Sequence, residues 1–216
     1  MSKYIVAVII FWMILWNGFV TGQEQENWTL SKTKDGIDIF TQKTKNSAFE
    51  SFKARVTTSG NVESFVALLL DLDAMPEWGY SVKYAQLLEK SGDSLQIYYS
   101  EAFVPFPFSN RDGIYSNRFR WDVTKKVLFV EIGILPEYLP VKKDVVRVKG
   151  SGYWQVDVLD NGLLQISFQM QVDPGGSIPA WLVNMFTGET PYQTLSKIRE
   201  LVKRPEYQNR NFDFIN

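Results

Sequence analysis

Two residue types that carry much of enzyme chemistry are missing from this sequence. Its 216 residues include no histidine and no cysteine. Nucleophiles activated by histidine, the usual zinc sites and disulfide bonds are therefore excluded, because each needs at least one of these side chains. Any catalysis would rest on carboxylates, lysine, tyrosine or serine. We expect no metal site, no cofactor and no catalytic constellation.

The charged residues with the most suggestive spacing are Glu101 and Arg111, which lie on two predicted strands on either side of a Pro-rich turn. Residues 95–104 and 111–121 alternate between apolar and polar types, as the strands of a hairpin do. A register that sets Glu101 opposite Arg111 gathers nearly all the bulky apolar residues on one face. The same face then carries the other candidates of this hairpin: Tyr99, Tyr115, Asn117 and Phe119.

An ion pair on this face indicates a polar contact inside an apolar chamber. Because burying two charges is costly unless both are hydrogen-bonded, Glu101 and Arg111 are candidates for binding the polar end of a ligand. The alternative is that the pair only closes the end of the sheet, where charges are partly solvated. In a third interpretation, Glu101, Tyr99 or Tyr115 is the acid or base of an enzyme that acts on an apolar substrate.

The elements around this hairpin indicate an α+β fold. Strands are predicted at about residues 28–33, 37–43, 49–58, 82–90, 95–104, 111–121, 127–133, 144–158 and 163–172. Helices are predicted at 61–70 and 178–203, the second with a kink at Pro191. Only this last helix is long enough to cover the apolar face of a curved antiparallel sheet. The sequence therefore predicts a helix-grip fold, a curved sheet wrapped around a C-terminal helix, with an internal apolar cavity.

Alternation adds four candidates for the cavity wall. Phe168 lies on a strand whose apolar residues occupy every second position, and Trp154 lies on the neighbouring strand in the same way. Trp181 and Met185 share one stripe of the final helix. For Phe168 and Trp154 the favoured alternative is an ordinary core, which is what apolar alternation usually means.

Composition and the first residues predict a single exported domain. Hydrophobic residues make up 45% of the chain, enough for a globular core, and the net charge of −1 argues against nucleic acid as a partner. Residues 1–22 combine an early lysine, an apolar run and small residues before a cleavage position, which is typical of a signal peptide. The alternative is a membrane anchor over residues 4–20. We expect a periplasmic or secreted protein with one domain over 23–204 and a polar tail over 205–216.

The run VDPGGSIPAWLVN at residues 172–184 joins a strand to the final helix. Pro174 stops sheet pairing, the double glycine permits a sharp reversal, and Pro179 fits the first turn of a helix. Three shorter motifs precede it: Arg111-Asp112, Val146-Arg147 and Gly152-Tyr153. In this order, the motifs resemble the START family of lipid-transfer domains over about residues 27–203.

The resemblance implies a tunnel that encloses one apolar molecule, such as a sterol or a phospholipid, in a non-enzymatic carrier. We expect a monomer that contacts membranes transiently. The family's loop beside the tunnel mouth corresponds to residues 133–143, so Leu135, Tyr138 and Leu139 are candidates for a gate, together with the final helix. The alternative is a loop folded back onto the core. A position that is often basic in the family is Asn117 here, which implies different head-group chemistry.

Two other functions remain open from the sequence. The superfold includes cyclases, so an enzyme such as a cyclase, isomerase or hydrolase acting on an apolar substrate is an alternative to a carrier. A ligand-responsive module that binds a partner protein through the basic end of the final helix, around Lys197 and Lys203, is a third. The absence of paired carboxylates on a shared face favours the carrier.

Overall fold

The computed structural model describes residues 28–44, 49–179, 182–183 and 185–215, with the backbone alone at Met185 and Phe186. The predicted signal peptide and Trp181 lie outside these residues. Ten strands of the described chain form one sheet, and a helix lies after the last strand. The predicted α+β helix-grip architecture is confirmed.

The sheet is almost entirely antiparallel. Its strands are β1 (Thr29–Lys34), β2 (Ile37–Gln42), β3 (Ser51–Thr58), β4 (Val82–Ser91), β5 (Leu95–Ala102), β6 (Asn110–Asp122), β7 (Val127–Ile134), β8 (Val145–Arg147), β9 (Lys149–Val158) and β10 (Leu164–Asp173). Their order is β1-β2-β3-β10-β9-β7-β6-β5-β4, and β8 pairs in parallel with β6. The single strand predicted over 144–158 is therefore two strands, because β8 pairs with β6 whereas β9 pairs with β7 and β10.

Both edge strands of the sheet are irregular. β1 has a bulge between Leu30 and Lys32 where it pairs with β2. β4 has two irregularities, between Val82 and Tyr84 and between Leu87 and Glu89. Such bulges twist a strand and interrupt its regular row of hydrogen-bonding groups.

Three α-helices lie on the inner side of the sheet or beside it: α1 (Val62–Leu70), α2 (Met75–Trp78) and α3 (Thr190–Leu201). The predicted cap of α1 is confirmed, since the Asn61 side chain accepts a hydrogen bond of 2.7 Å from the backbone N–H of Ser64. The helix predicted over 178–203 is interrupted. Residues 177–179 are irregular, Leu182 and Val183 are helical, a π-helical turn covers Met185–Glu189, and Pro191 lies in the first turn of α3. Proline fits there because the first N–H groups of a helix have no partner inside the helix.

The core lies between the concave face of the sheet, α1 and α3. Phe65 of α1, Leu195 and Ile198 of α3 and Ile166 of β10 are fully buried in it. Residues 205–215 add to this core through the aromatic rings of the predicted tail. The Tyr207 hydroxyl donates a hydrogen bond of 2.9 Å to the Asp71 carboxylate at the end of α1.

No helix in the described ranges is long and apolar enough to cross a bilayer.

Candidate functional site

A cavity lies between the concave face of the sheet, α2 and the segment that leads into α3. Most of its wall is aromatic or aliphatic, including Phe52, Met75, Trp78, Tyr98, Tyr115, Val148, Trp154, Phe168 and Met170. The polar side chains on the wall are Glu50, Ser81, Ser100, Arg111, Thr187, Thr190 and Thr194. An apolar wall with a few polar groups is the usual lining of a small-molecule site.

Two predicted residues form the aromatic floor of this cavity. Trp154 of β9 and Phe168 of β10 lie directly opposite each other in the sheet. Their rings stack with centroids 3.9 Å apart, and Phe52 of β3 meets Phe168 edge-on at 5.2 Å. Alternation along the strands places all three rings on the concave face.

The β5–β6 hairpin has a different register from the predicted one. Glu101 lies opposite Asp112, and Ala102 lies opposite Arg111, so the predicted pairing of Glu101 with Arg111 was wrong by one residue. A shift of one residue turns every side chain of a strand to the other face. Glu101 and Tyr99 therefore lie on the outer face of the sheet, and neither lines the cavity.

The outer face misled the prediction because it carries a small apolar core of its own. Ile97, Tyr99 and Ile114 form a buried cluster there, and Leu135 packs against it. The backbone N–H of Leu135 donates to the Ile114 carbonyl at 2.8 Å, so the chain after β7 runs over this cluster. The alternate apolar residues of β5 are therefore buried under a loop and not in the cavity.

Glu101 is the centre of a polar network on the outer face. Its carboxylate accepts hydrogen bonds from Lys83 Nζ at 2.8 Å and from Asn110 Nδ2 at 2.7 Å. Burial tends to raise the pKa of Glu101, but the hydrogen bonds from Lys83 and Asn110 outweigh it, and the pKa is lowered. Lys142 lies with its Nζ 3.9 Å from the centroid of the Tyr99 ring. This network fastens the end of the hairpin.

A buried ion pair holds the loop after β7 in place. Asp112 accepts hydrogen bonds from Arg147 Nε at 2.8 Å and from Arg147 Nη2 at 3.0 Å. Arg147 Nη1 also donates to the carbonyls of Pro136 and Leu139, at 2.8 and 3.1 Å. The hydrogen bonds with Asp112 raise the pKa of Arg147, so the guanidinium stays charged.

The predicted gate residues lie on the outer face of the sheet. The Tyr138 hydroxyl donates to the Glu89 carboxylate of β4 at 2.8 Å, and Leu135 and Leu139 belong to the same loop. No residue from 133 to 143 lines the cavity, so the prediction that this loop borders the tunnel is corrected. The loop that reaches the cavity joins β5 to β6, and its Phe103 lines the wall while remaining 52% exposed.

Of the two charged residues predicted to line the cavity, Arg111 does so. Its side chain is buried, with 4% of its surface exposed. Nη1 donates to the Ser109 carbonyl at 2.7 Å, and Nε and Nη2 donate to the carbonyls of Pro174 and Gly175 at 3.3 and 3.4 Å. Burial lowers the pKa of this guanidinium. Arg111 therefore joins the β5–β6 loop to the junction after β10.

The remaining predicted residues are divided between the cavity, the core and the undescribed part of the chain. Tyr115 lines the cavity and stacks on Tyr98 with centroids 5.4 Å apart; burial raises the pKa of Tyr115 to about 12, so its hydroxyl is neutral. Asn117 and Phe119 are buried beyond the cavity, where Phe119 packs 5.9 Å from Phe214. The side chains of Trp181 and Met185 lie outside the described residues.

Sequence reasoning missed several residues of the wall. Met75 and Trp78 belong to α2, which is too short to show a helical period. Tyr98 and Ser100 were assigned to the outer face by the register error. The run LDAMPEWG around Pro76 indicated a short helical turn, but nothing in it indicated which side chains face the cavity. Across the ranges that the structure describes, no cluster of three carboxylate, histidine or cysteine side chains could hold a metal ion.

Comparison with known proteins identifies the family of this fold. The family model of the START domain matches residues 21–207, which is most of the chain. The chain belongs to the START domain family. Phosphatidylcholine transfer protein from Rattus norvegicus is 32% identical over 166 residues, covering 73% of this chain and 75% of the relative. This START domain therefore shares clear sequence similarity with a lipid-transfer protein.

Solved structures agree with this assignment. The crystal structure of a STAR-related lipid transfer protein from Xanthomonas axonopodis is 31% identical, with a TM-score of 0.74, and the match covers 82% of this chain and 99% of that one. Human STARD10 is 20% identical with a TM-score of 0.71, covers 83% of this chain and 75% of that one, and supports the fold alone. The START assignment thus rests on sequence and on architecture.

Proposed function

We propose that this START domain binds one lipid molecule in its internal cavity and carries it without chemical change. The observation that carries the proposal is the aromatic and aliphatic wall enclosed between the sheet and the segment before α3. Burying apolar surface stabilises a bound lipid by about 25 cal/mol per Å². The relatives named as lipid transfer proteins support the same role.

The test is the content of the cavity in protein purified without detergent. We expect organic extraction and mass spectrometry to recover about one lipid per chain. Ala102→Phe adds a ring to the cavity wall and should lower this yield, whereas Thr57→Phe on the exposed side of β3 should not. Recovery of no stoichiometric lipid from the unmodified chain, before or after exposure to vesicles, would contradict the proposal.

We infer that the lipid enters past the π-helical turn at residues 185–189. α3 itself is fastened to the β1–β2 turn, because Arg199 Nη1 donates to the Asp35 carbonyl at 2.6 Å and the Tyr192 hydroxyl donates to the Asp35 carboxylate at 2.5 Å. In the described structure, the π-helical turn makes no hydrogen bond to the β1–β2 turn. Hydrogen exchange should therefore be faster at 185–189 than at 190–201, and equal protection of both would overturn this route.

The proposal includes contact with a membrane during loading. Phe103 and Phe106 of the β5–β6 loop are 52% and 94% exposed beside the cavity, and large exposed rings favour an apolar surface. Phe106→Ser should reduce co-flotation with phosphatidylcholine vesicles, whereas Val123→Ser, at another exposed turn, should not. Equal flotation of both variants would count against this loop.

We also propose that the carrier is an exported monomer from which residues 1–22 are removed. The support is the signal-peptide pattern of these residues and the single domain that follows. N-terminal sequencing of protein recovered outside the cytoplasm should begin at Gln23. A mature chain that retains Met1 would contradict removal, and a dimer in sedimentation would contradict the monomer.

A further inference from the structure

Arg111 is a feature of the cavity that binding of a purely apolar molecule does not explain. It is the one wholly buried charged side chain on the described cavity wall. Its three acceptors are backbone carbonyls, and no carboxylate in the described ranges lies within ion-pair distance of it. A buried cation with only neutral acceptors is unfavourable compared with one that has a counter-charge.

A second donor on the same wall lacks an acceptor. Trp78 of α2 lines the cavity, is 7% exposed, and its indole Nε1 has no hydrogen-bond partner in the part of the chain that the structure describes. An unsatisfied buried N–H is costly. Arg111 and Trp78 both line the cavity and both carry N–H groups that no described protein group accepts, and a ligand with oxygen acceptors would satisfy them.

The surroundings of Arg111 decide the charge of such a ligand. On the cavity face, Arg111 lies opposite Ala102, and the next pair along the hairpin is Ser100 with Gly113. Neither pair places a carboxylate beside the guanidinium. Glu50, the other charged residue on the wall, is only half-buried just before β3. The end of the cavity at Arg111 therefore favours a negative group over a positive one.

We propose that the lipid carried by this START domain is acidic, and that its carboxylate or phosphate monoester binds the Arg111 guanidinium. This inference rests on the proposed lipid-carrier function and specifies its ligand. A guanidinium has more N–H donors than the three carbonyls accept, so a two-pronged hydrogen bond to an anionic oxygen pair remains available. Trp78 donates to a further oxygen of the ligand, such as an ester carbonyl.

The test is competitive loading from vesicles of defined composition. The full chain is incubated with vesicles of phosphatidylcholine that contain equal amounts of phosphatidic acid, oleic acid and diacylglycerol, and is then re-isolated and its lipids quantified. We expect an acidic lipid to be enriched about tenfold or more over diacylglycerol and phosphatidylcholine, as a charged hydrogen bond implies. Phosphatidic acid and oleic acid separate a phosphate from a carboxylate as the preferred group.

Substitutions test whether Arg111 causes the preference for acidic lipids. Arg111→Met should abolish the enrichment, Arg111→Lys should keep part of it, and Arg118→Met, an exposed arginine of the same strand on the outer face, should change nothing. Trp78→Phe keeps a ring and loses the N–H, and should lower loading of every ester lipid by a smaller factor. Circular dichroism checks that Arg111→Met is folded, and Arg111→Lys tests the charge if it is not.

The outcomes separate this inference from the proposed function. Neutral lipids loaded as well as acidic ones, or an unchanged preference in Arg111→Met, would overturn the acidic ligand and leave the carrier intact. Failure of the unmodified chain to load any lipid would overturn both.

Discussion

Glu101 and Asp112 are two carboxylates that lie directly opposite each other on the outer face of the β5–β6 hairpin. Like charges in this position destabilise a sheet unless each is neutralised. Lys83 neutralises Glu101 from β4, and Arg147 neutralises Asp112 from β8. Two different strands therefore supply the cations that this hairpin needs.

The lowered pKa of Glu101 makes the stability of the protein dependent on pH. A carboxyl with a lowered pKa in the folded state contributes stability above its unfolded pKa of about 4.3, and that contribution is lost as the pH falls through the folded value. Glu101→Gln should lower the free energy of unfolding by about 1–3 kcal/mol at pH 7. The difference from the unmodified chain should shrink as the pH falls below about 4.3. Urea unfolding over this pH range measures it, and a difference that does not depend on pH would contradict this account.

The buried pair of Asp112 and Arg147 gives a larger effect. Asp112→Asn removes the carboxylate charge and leaves the buried guanidinium without a counter-charge, which should cost about 3–5 kcal/mol of unfolding free energy. Asp122→Asn, whose pair with Lys125 is exposed, serves as the matched control and should cost little. Chemical denaturation of the two variants tests this, and similar losses in both would show that burial of the pair is unimportant.

Single residues were predicted well where a local rule applied. Asn61 caps α1 because an N-cap needs only the next few residues. Arg111 was placed on the cavity wall, but its pairing with Glu101 was wrong because the seven residues between β5 and β6 do not fix a register. The cation that neutralises Asp112 comes from Arg147, far along the chain, and no local pattern indicates it.

The junction between β10 and the helical segment is the element whose form follows most directly from its residues. Gly175 and Gly176 have φ angles of 67° and 66°, in the left-handed region that favours glycine. The Asp173 carboxylate accepts a hydrogen bond of 2.9 Å from the Gly175 N–H and closes the turn. The sharp reversal predicted from Asp-Pro-Gly-Gly is thus present.

The two glycines should differ in their tolerance of a side chain. A Cβ at Gly176 would meet nothing within 4 Å, so Gly176→Ala should cost only the strain of the positive φ, about 1–2 kcal/mol. A Cβ at Gly175 would lie 2.9 Å from Val146 Cγ1, so Gly175→Ala should cost more. Thermal unfolding of both variants measures the difference. Equal melting temperatures would mean that the contact with Val146 relaxes without cost.

At the scale of the whole molecule, the cavity lies inside the main core, so its contents should contribute to stability. A lipid that binds the folded state alone stabilises it by mass action, by about 2.7 kcal/mol at a hundredfold excess over Kd. Removal of lipid by organic extraction and refolding should therefore lower the melting temperature, and reloading from vesicles should restore it. Ala102→Phe should make the melting temperature less sensitive to lipid. A melting temperature that does not respond to extraction would contradict a filled cavity.

The fold was predictable at this scale because its rules are general. Alternating strands, one long terminal helix and the motifs around Asp-Pro-Gly-Gly indicated a helix-grip sheet, and the architecture is confirmed. The layer in which each apolar residue is buried was not predictable. Tyr99 is buried on the outer face under the loop that carries Leu135, and Phe212 and Phe214 pack against the main core. A sequence pattern predicts that such residues are buried, but it does not indicate which segment of the chain covers them.

The bulges in β1 and β4 affect whether the sheet edges of two molecules of this protein can pair. The sheet does not close, so each edge offers unpaired backbone groups to any passing strand. β1 presents Lys32 and Lys34 beside its bulge, and β4 presents Lys83 and Lys90 beside its two irregularities. A second chain would meet an uneven spacing of donors and acceptors at either edge. The open sheet is thereby protected from edge-to-edge polymerisation.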